Sequence, residues 1–379
     1  MQYVGGNRLQ LLKNGAQYFP ALVAALDAAR AEAFLETYIY ADDETGARVT
    51  DALVRAASRG VRVHLLLDGF GARDFAPHFR RALRAAGAEI LVFRPEMRLL
   101  RLRRGRLRRM HRKLACIDGM VAFIGGINII DDYLPPRYDY AVRIEGPLVH
   151  EVRATTLRLW TQVSWATLGH RLRPPAAAEM PPLPCGTQRA ALVVRDSLRH
   201  RSDIEDAYLE LIGKARVEVI IASAYFFPGR QFRRALRAAA SRGVRVRLLL
   251  QGRIEYALLY YASRALYGSL LDAGIEIHEY YESFLHAKVA VFDRGFACVG
   301  SSNIDPFSLL CAREANVFID DAGFAAELHR SLEEAMRVGA RALPARQWHR
   351  QPIWLRLREW IGYGIARLAL SLFGFERYH

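Results

Sequence analysis

Two copies of one motif carry residue types that could exchange a phosphate ester. Each copy reads His-x-Lys with an Asp seven positions after the histidine, and the copies begin at His111 and His286. Small residues at +14 and +15, an Asn at +17 and an acid at +28 follow both histidines. Imidazole can attack phosphorus or protonate a leaving alkoxide, and lysine and asparagine can bind phosphate oxygens. The repeat predicts a phosphate-transfer site containing His111, Lys113, Asp118, Gly126, Asn128 and Asp139 with His286, Lys288, Asp293, Ser301, Asn303 and Glu314.

The scarcity of lysine supports a chemical role for the motif lysines. The chain has 54 basic side chains, but only four are lysine: Lys13, Lys113, Lys214 and Lys288. Two of these four stand two residues after a motif histidine. Side chains alternate between the faces of a β-strand, so we expect each His and its Lys to share one face. Small residues further along would let the backbone approach an anion closely.

An internal repeat indicates which elements position the motifs. Residues 52–69 (ALVRAASRGVRVHLLLDG) and 235–252 (ALRAAASRGVRVRLLLQG) each predict a helix, a glycine stop and a buried strand. Further strands are predicted over Phe34–Tyr40 and Val217–Phe227. The pattern is typical of an α/β fold with two similar domains. We expect domains at 1–170 and 191–345, a proline-rich linker at 171–190 and a C-terminal helical segment at 346–379.

Composition indicates a globular protein with a phosphate-rich partner. Hydrophobic residues make up 52% and charged residues 25% of the chain, and the net charge is +15. Both nucleic acid and anionic lipid would be attracted by this positive charge. The four cysteines show no metal-ligand or disulfide spacing, which predicts a reducing compartment and no bound metal. No signal peptide or uncharged membrane-spanning stretch is expected.

Two segments have the composition of membrane-surface elements. Eight arginines between Arg98 and Arg112 alternate with leucines and without aromatic residues, which favours anionic lipid over nucleic acid. Residues 353–375 predict an amphipathic helix, although a helix packed on its own domain would show the same pattern. A solvated loop is the alternative for the arginine strip. The expected membrane contacts are Arg101, Arg103, Arg104, Arg106, Trp354 and Trp360.

The motif pair resembles the phospholipase D superfamily. Gly-Gly-x-Asn follows the first motif and Gly-Ser-Ser-Asn the second, and the strings at 35–39, 139–147 and 300–306 resemble bacterial cardiolipin synthases, most closely those of the B type. The resemblance covers nearly the whole chain. It implies two similar α/β/α sandwich domains related by pseudo-twofold symmetry, with the active site at their interface.

The resemblance also implies roles for the motif residues, with no cofactor and no metal. His111 is expected to form a phosphatidyl-histidine while His286 acts as general acid and then general base; the reverse assignment stays open. Asp139 and Glu314 are expected to hold the second nitrogen of a histidine. The remaining expected roles are stabilisation of phosphate oxygens by Lys113, Lys288, Asn128 and Asn303, and support of the site by Asp118 and Asp293.

The expected activity is phosphatidyl transfer from one phosphatidylglycerol to another, giving cardiolipin and glycerol. The expected partners are anionic phospholipids and a membrane surface, the cytoplasmic face of a bacterial inner membrane, and not nucleic acid. Another phosphatidyltransferase, a phospholipid hydrolase, a superfamily nuclease and a non-enzymatic lipid-binding protein are the alternatives. Phe307 stands where many cardiolipin synthases have Arg, which leaves the acceptor alcohol open. The oligomeric state is not predicted.

Overall fold

The first half of the chain alternates strands and helices and ends in a long helix. The computed structural model describes residues 1–95, 108–131, 137–168, 182–196, 200–305 and 312–372. The elements of the first half are β1 (Val4–Lys13), α1 (Asn14–Ala28), β2 (Glu32–Thr37), α2 (Glu44–Ser58), β3 (Arg62–Asp68), α3 (Pro77–Ala85), β4 (Glu89–Phe93), β5 (Lys113–Ile117), β6 (Val121–Gly125), β7 (Arg137–Tyr138), β8 (Tyr140–Glu145) and α4 (Leu148–Leu168).

The second half repeats this order and adds C-terminal helices. Its elements are β9 (Gln188–Arg195), α5 (Asp203–Lys214), β10 (Glu218–Ser223), α6 (Arg230–Ser241), β11 (Arg245–Gln251), α7 (Ala257–Arg264), α8 (Tyr267–Leu271), β12 (Glu276–Tyr280), β13 (Phe284–Leu285), β14 (Lys288–Phe292), β15 (Phe296–Gly300), β16 (Glu314–Asp320), α9 (Ala322–Gly339), β17 (Ala340–Ala342), α10 (Ala345–His349) and α11 (Ile353–Leu372). The proposed linker at 171–190 lies largely outside the described residues.

One continuous mixed sheet joins the two halves with pseudo-twofold symmetry. Its strand order is β17-β12-β11-β10-β14-β15-β16-β9-β1-β8-β6-β5-β2-β3-β4. Outward from the central antiparallel pair β9 and β1, corresponding strands of each half follow in the same sequence. The fold expected from the sequence, two similar α/β domains about a pseudo-twofold axis, is therefore confirmed.

Helices cover both faces of the sheet, as the alternation of the strand residues requires. Leu35 of β2 packs in a cluster with α1, α2 and α3, whereas its neighbour Phe34 packs in a cluster with α4. The second cluster also takes in α9 and strands of both halves, so the halves share one core. Equivalent helices α5 and α6 cover the other face of the second half.

The repeated helix-strand units fold as predicted, with shorter flanking strands. Gly60 and Gly243 follow α2 and α6 with φ of 89° and 86°, a conformation that glycine adopts without steric cost. The strand predicted over Phe34–Tyr40 ends at Thr37, and that over Val217–Phe227 ends at Ser223. The hydroxyls of these two last residues donate to the carbonyls two residues ahead, which turns each chain out of the ladder.

The C-terminal helix α11 presents its apolar side to solvent. It packs against α7, and Glu359 from its polar sector is buried in an ion pair with Arg264 at 3.0 Å. Apolar residues along one side of α11 are half or more exposed: Ile353, Leu357, Ile361, Ile365 and Leu368. The helix contacts the protein through its other side, where Ala366 and Leu370 are buried against Ala262 and Leu266. Among the described residues, no helix combines the length and apolarity needed to cross a bilayer.

Candidate active site

Backbone hydrogen bonds between the halves bring the two motifs together. The His111 N–H donates to the carbonyl of Arg313 at 3.0 Å, and the His286 N–H donates to the carbonyl of Tyr138 at 2.9 Å. Each accepting residue immediately precedes the +28 acid of the other half. The histidine of one half therefore lies beside the acid of the other. Both histidines precede their strands β5 and β14, which corrects the expectation that they lie on the strand itself.

Each histidine is held by a carboxylate from the opposite half. His111 Nδ1 lies 2.9 Å from Glu314 Oε1, and His286 Nδ1 lies 2.6 Å from Asp139 Oδ2. A carboxylate bound at Nδ1 fixes the ring orientation and leaves Nε2 directed at the substrate, as in a catalytic triad. The acids at +28 thus contact the histidine nitrogens expected from the sequence, and the structure adds that the pairing crosses between the halves.

The two motif lysines are buried beside this pair of histidines. Lys113 Nζ donates to the carbonyl oxygen of His111 at 2.6 Å, and Lys288 Nζ donates to that of His286. Burial lowers the pKa of Lys113 to about 7 and that of Lys288 to about 8. A buried ammonium lacks water, and an anion entering the site would restore its stabilising contacts. The lysines are therefore placed to bind a phosphate.

The His111 pair has a polar support and an aromatic neighbour. Ser301 Oγ donates to Glu314 Oε2 at 2.5 Å, so this carboxylate accepts a hydrogen bond at each oxygen. The Tyr38 ring lies edge-on to the His111 ring with centroids 4.9 Å apart. Burial lowers the pKa of His111, which Glu314 partly opposes and Lys113 reinforces. The lowered pKa favours the neutral imidazole, and with Nδ1–H directed at Glu314 its lone pair would lie on Nε2.

The His286 pair is more enclosed and lies closer to a cation. Lys288 Nζ is 2.9 Å from His286 Nδ1 and 3.8 Å from Asp139 Oδ2. Burial lowers the pKa of His286 well below its usual value, and Lys288 adds to this effect. Burial raises the pKa of Asp139 to about 6, against the opposing charge of Lys288. A proton taken up by this pair is shared between His286 Nδ1 and Asp139 Oδ2 and is a property of the pair, not of either residue alone.

The small residues at +15 act on the acids. A Cβ on Gly126 would lie 2.3 Å from Asp139 Oδ1, so this position must be glycine for Asp139 to stay in place. Ser301, the equivalent residue, contacts Glu314 as described above. The expectation for both positions was that they bind phosphate or orient the site. In the structure their contacts are with the carboxylates that hold the histidines.

The motif asparagines are buried at the same end of the sheet. Asn128 and Asn303 are 4% and 2% exposed. Asn128 Oδ1 accepts the N–H of Ile39 at 3.2 Å, which fixes the orientation of its amide and leaves the NH₂ group as a donor.

The motif aspartates lie at the other end of their strands. Asp118 follows the last residue of β5, about 17 Å along the strand from Lys113 at the usual rise per residue. Its carboxylate accepts the backbone N–H groups of Arg30, Ala31 and Glu32 at 2.8–2.9 Å. The expectation of a catalytic set that includes this residue therefore requires correction, because its hydrogen bonds anchor the start of β2.

Asp293 repeats this arrangement in the second half. Its carboxylate accepts the N–H groups of Arg216, Val217 and Glu218 at 2.8–2.9 Å. Asp293 and Asp118 both have positive φ, about 51° and 52°, which a short polar side chain tolerates at a hairpin turn. The shared offset at +7 reflects the same fold element in both halves.

Comparisons with known proteins agree with this geometry. The description "Cardiolipin synthase, PLD-like domain" matches residues 22–160 and 208–336. Cardiolipin synthase B of Escherichia coli K12 is 41% identical over 353 residues, which cover 90% of this chain and 85% of that protein. The chain belongs to the phospholipase D-like cardiolipin synthase family.

Other relatives extend this family assignment. The major cardiolipin synthase ClsA of Bacillus subtilis is 31% identical over 361 residues, covering 93% of this chain and 73% of that protein. The crystal structure of phosphatidylserine synthase from Haemophilus influenzae superposes with a TM-score of 0.68 at 12% identity, covering 95% of this chain and 94% of that one. This second similarity shows that the fold is shared.

The sequence pattern did not identify two residues that position the motif histidines. Asp68 Oδ2 accepts the N–H of Met110 at 2.8 Å, and Gln251 Oε1 accepts the N–H of Leu285 at 3.3 Å. Each therefore fixes the backbone immediately before a motif histidine. Each is the second-to-last residue of its repeated string, at 52–69 or 235–252. Their equivalent positions in the repeat could have indicated that they have the same role.

The expected membrane contacts divide between described and undescribed residues. Arg101, Arg103, Arg104 and Arg106, and also Phe307, lie outside the described residues. Trp354 and Trp360 are on α11 with exposed fractions of 64% and 55%.

Proposed function

We propose that the protein is a cardiolipin synthase that transfers a phosphatidyl group from one phosphatidylglycerol to another. The observation that carries this proposal is the pair of histidines, each held at Nδ1 by a carboxylate of the opposite half, between two buried lysines. The 41% identity to cardiolipin synthase B supports the same phosphatidyltransferase activity. Anionic phospholipids are the corresponding substrates.

His111 is the nucleophile in this proposal. Its Nε2 attacks phosphorus, a phosphorus–nitrogen bond forms, and the bond from phosphorus to the glycerol oxygen breaks. His286 donates its Nε2 proton to the departing glycerol oxygen. The proton between Nδ1 and the Asp139 carboxylate stays on Nδ1, so His286 is left as a neutral imidazole hydrogen-bonded to a carboxylate.

The second step uses the same groups in reverse order. His286 Nε2 takes the proton of a glycerol hydroxyl on a second phosphatidylglycerol, and that oxygen attacks phosphorus. The phosphorus–nitrogen bond to His111 breaks, which releases cardiolipin and restores the imidazole. Splitting one displacement into two is the usual gain of covalent catalysis.

Lysine and asparagine side chains stabilise the charge on phosphorus in both steps. We assign the non-bridging oxygens to Lys113, Lys288, Asn128 and Asn303, which are all buried at the site. Fixed donors in a site from which water is excluded act strongly on developing charge, and such electrostatic stabilisation is often the largest part of catalysis. Asp118 and Asp293 serve the fold at a distance.

We also propose that α11 lies on a membrane surface. Its exposed apolar sector has Trp354 and Trp360 at its edge, and Arg356 and Arg358 on the same helix are exposed. An apolar face with flanking cations suits the boundary of an anionic bilayer. We propose in addition that the arginines at 101–106 contact the membrane, and that this membrane surface is the cytoplasmic face of the bacterial inner membrane. We also propose that the chain has domains at 1–170 and 191–345.

Lipid mass spectrometry tests the proposed activity. Purified protein is incubated with phosphatidylglycerol vesicles in EDTA, beside His111→Ala and His286→Ala. We expect cardiolipin and glycerol from the unaltered protein and neither from the variants. Phosphatidic acid alone would indicate a hydrolase, and the absence of lipid turnover would overturn the proposal.

A further inference from the structure

The edge of the sheet that holds both motif histidines, which we call the active-site edge, also carries exposed apolar side chains. Phe70 follows β3, and its ring is exposed. One carboxylate fixes both this loop and the first motif, because Asp68 accepts the N–H of Phe70 at 2.9 Å and that of Met110 at 2.8 Å. Met110 immediately precedes His111. The loop with the exposed Phe70 ring therefore borders the His111 motif.

The equivalent loop of the second half borders the His286 motif. Gln251 Oε1 accepts the N–H groups of Arg253 and Leu285, both at 3.3 Å, and Leu285 immediately precedes His286. Three apolar side chains that follow Arg253 are exposed: Ile254, Tyr256 and Leu258. Each half thus presents apolar side chains to solvent beside its own motif.

The C-terminal helix α11 also lies at the active-site edge. The rings of Tyr363 on α11 and Phe227 have centroids 5.6 Å apart. The N–H of Phe227 donates to the carbonyl of Ile304 at 2.7 Å, and Ile304 immediately follows the motif residue Asn303. The same helix packs on α7, which begins at Ala257 within the second loop's apolar run. The helix therefore adjoins both the second motif and the second loop.

Cations accompany these exposed apolar side chains. The guanidinium carbon of Arg109 lies 4.9 Å from the centroid of the Phe70 ring. On α11, the guanidinium carbon of Arg358 lies 4.2 Å from the centroid of the Tyr261 ring and 5.8 Å from that of Trp354. An aromatic ring beside a cation suits the boundary of an anionic bilayer, where the ring meets the acyl region and the cation meets lipid phosphates.

A bilayer fits this arrangement better than a protein partner does. The exposed apolar side chains belong to three separate segments that adjoin the two motifs. A protein that covered all three segments would obstruct the approach of substrate to the histidines. A bilayer that contacts the same segments would instead deliver the phospholipid substrate from that side.

We propose that the active-site edge faces an anionic bilayer, with Phe70 and Ile254 inserted at the lipid–water boundary on either side of His111 and His286. The inference rests on the proposed function and adds the orientation of the active site relative to the membrane. In this orientation a substrate phosphate reaches both histidines while its acyl chains stay in the bilayer.

Fluorescent labels at single positions test which edge enters the bilayer. Cys185 and Cys311 are replaced by serine, and the dye nitrobenzoxadiazole is attached to Phe70→Cys or Ile254→Cys in the full chain. Each protein is bound to vesicles of phosphatidylglycerol and phosphatidylcholine, with or without nitroxide-labelled lipid. We expect the labels at positions 70 and 254 to lose most of their emission to the nitroxide lipid.

Met120→Cys and Val217→Cys are the matched controls. Both residues lie at the opposite edge of the sheet, because Met120 shares its turn with Asp118 and the N–H of Val217 donates to Asp293. Their exposed fractions, 56% and 69%, exceed the 43% and 52% of Phe70 and Ile254. We expect labels at the two control positions to keep their emission. A label on Ile361→Cys reports the contact of α11 separately.

The outcomes separate the orientation from the other proposals. Quenching at position 361 without quenching at 70 and 254 would overturn the orientation while the contact of α11 stands, and equal quenching at both edges would overturn it as well. No quenching at any position would overturn both membrane proposals. Lipid mass spectrometry of the unlabelled protein on the same vesicles reads the transfer activity independently. Quenching at 70 and 254 without cardiolipin formation would overturn the proposed function and leave the orientation standing.

A second measurement needs no label. Phe70→Asp places a charge at the lipid–water boundary and removes an apolar ring, so we expect the partition coefficient onto these vesicles to fall about tenfold. Met120→Asp makes the same change at the opposite edge and should leave the partition coefficient unchanged. Equal partition coefficients for the two variants would contradict the insertion of Phe70.

Discussion

The two halves of the site have the same backbone arrangement, but their histidines have different surroundings. In one pair Glu314 is supported by Ser301 and the partner His111 packs against Tyr38. In the other, His286 is less exposed than His111, and Asp139 has its pKa raised to about 6 by burial and lies near Lys288. Different environments on one scaffold can assign the roles of base and acid. The comparison indicates that the repeat places the histidines and their acids at equivalent positions. The residues around them that differ between the halves set their protonation states.

The largest effects are expected from the acids that hold the histidines. Glu314→Gln and Asp139→Asn keep the shape but remove the charge that fixes the Nδ1 proton. We expect each to lower kcat for cardiolipin formation about a thousandfold or more, as in other histidine–carboxylate pairs. Steady-state lipid mass spectrometry measures both. A variant that keeps a tenth of the activity would show that its pair does not orient a catalytic histidine.

A difference between the halves is expected at the +15 position. Gly126→Ala places a Cβ 2.3 Å from Asp139 Oδ1 and must displace that carboxylate, so we expect a loss of about a hundredfold in kcat. Ser301→Ala removes one hydrogen bond to Glu314 and leaves the space, so about a tenfold loss is expected. Equal losses would contradict the different roles of the two positions.

The pKa values of the motif lysines predict where kcat/KM falls on the alkaline side of its pH profile. Below pH 7 Lys113 is protonated and can bind phosphate oxygens; as pH rises through its pKa of about 7 that charge is lost and kcat/KM falls. Lys113→Arg keeps the charge, so the limb should move up to the pKa of Lys288 at about 8. The pH dependence of kcat/KM with phosphatidylglycerol measures this. An unchanged limb would exclude Lys113 as its source.

The smallest effect on chemistry is expected at the motif aspartates. Asp118→Ala and Asp293→Ala each remove three hydrogen bonds to backbone N–H groups at the start of a buried strand. We expect each to lower the free energy of unfolding by about 2–3 kcal/mol and to leave kcat of the folded protein nearly unchanged. Thermal unfolding and kcat at low temperature separate the two quantities. Loss of kcat without loss of stability would restore a chemical role.

Much of the fold could be predicted because the repeat is local. The strings at 52–69 and 235–252 each contain a glycine that ends the helix and an apolar strand, and Gly60 follows its helix as predicted, with a positive φ. The strand ends were harder to predict. The hydroxyls of Thr37 and Ser223 compete with the ladder for backbone carbonyls, and threonine within an apolar run also favours a strand.

The candidate site could be predicted as a set of residues but not as an arrangement. The offset of +28 is the same in both halves, so it cannot show that Glu314 serves His111 and Asp139 serves His286. That crossing depends on the backbone hydrogen bonds to Arg313 and Tyr138, which are contacts between distant segments. Equal offsets also made Asp118 resemble a site residue, although its position is a requirement of the hairpin.

An activated substrate tests the assignment of the two histidines most directly. A phosphatidyl ester of p-nitrophenol has a leaving group that needs no proton, so only the nucleophile is required for the first step. We predict that His286→Ala releases a burst of one nitrophenolate per active site and carries the phosphatidyl group on His111, while His111→Ala gives no burst. A burst from His111→Ala with the lipid on His286 would contradict the account.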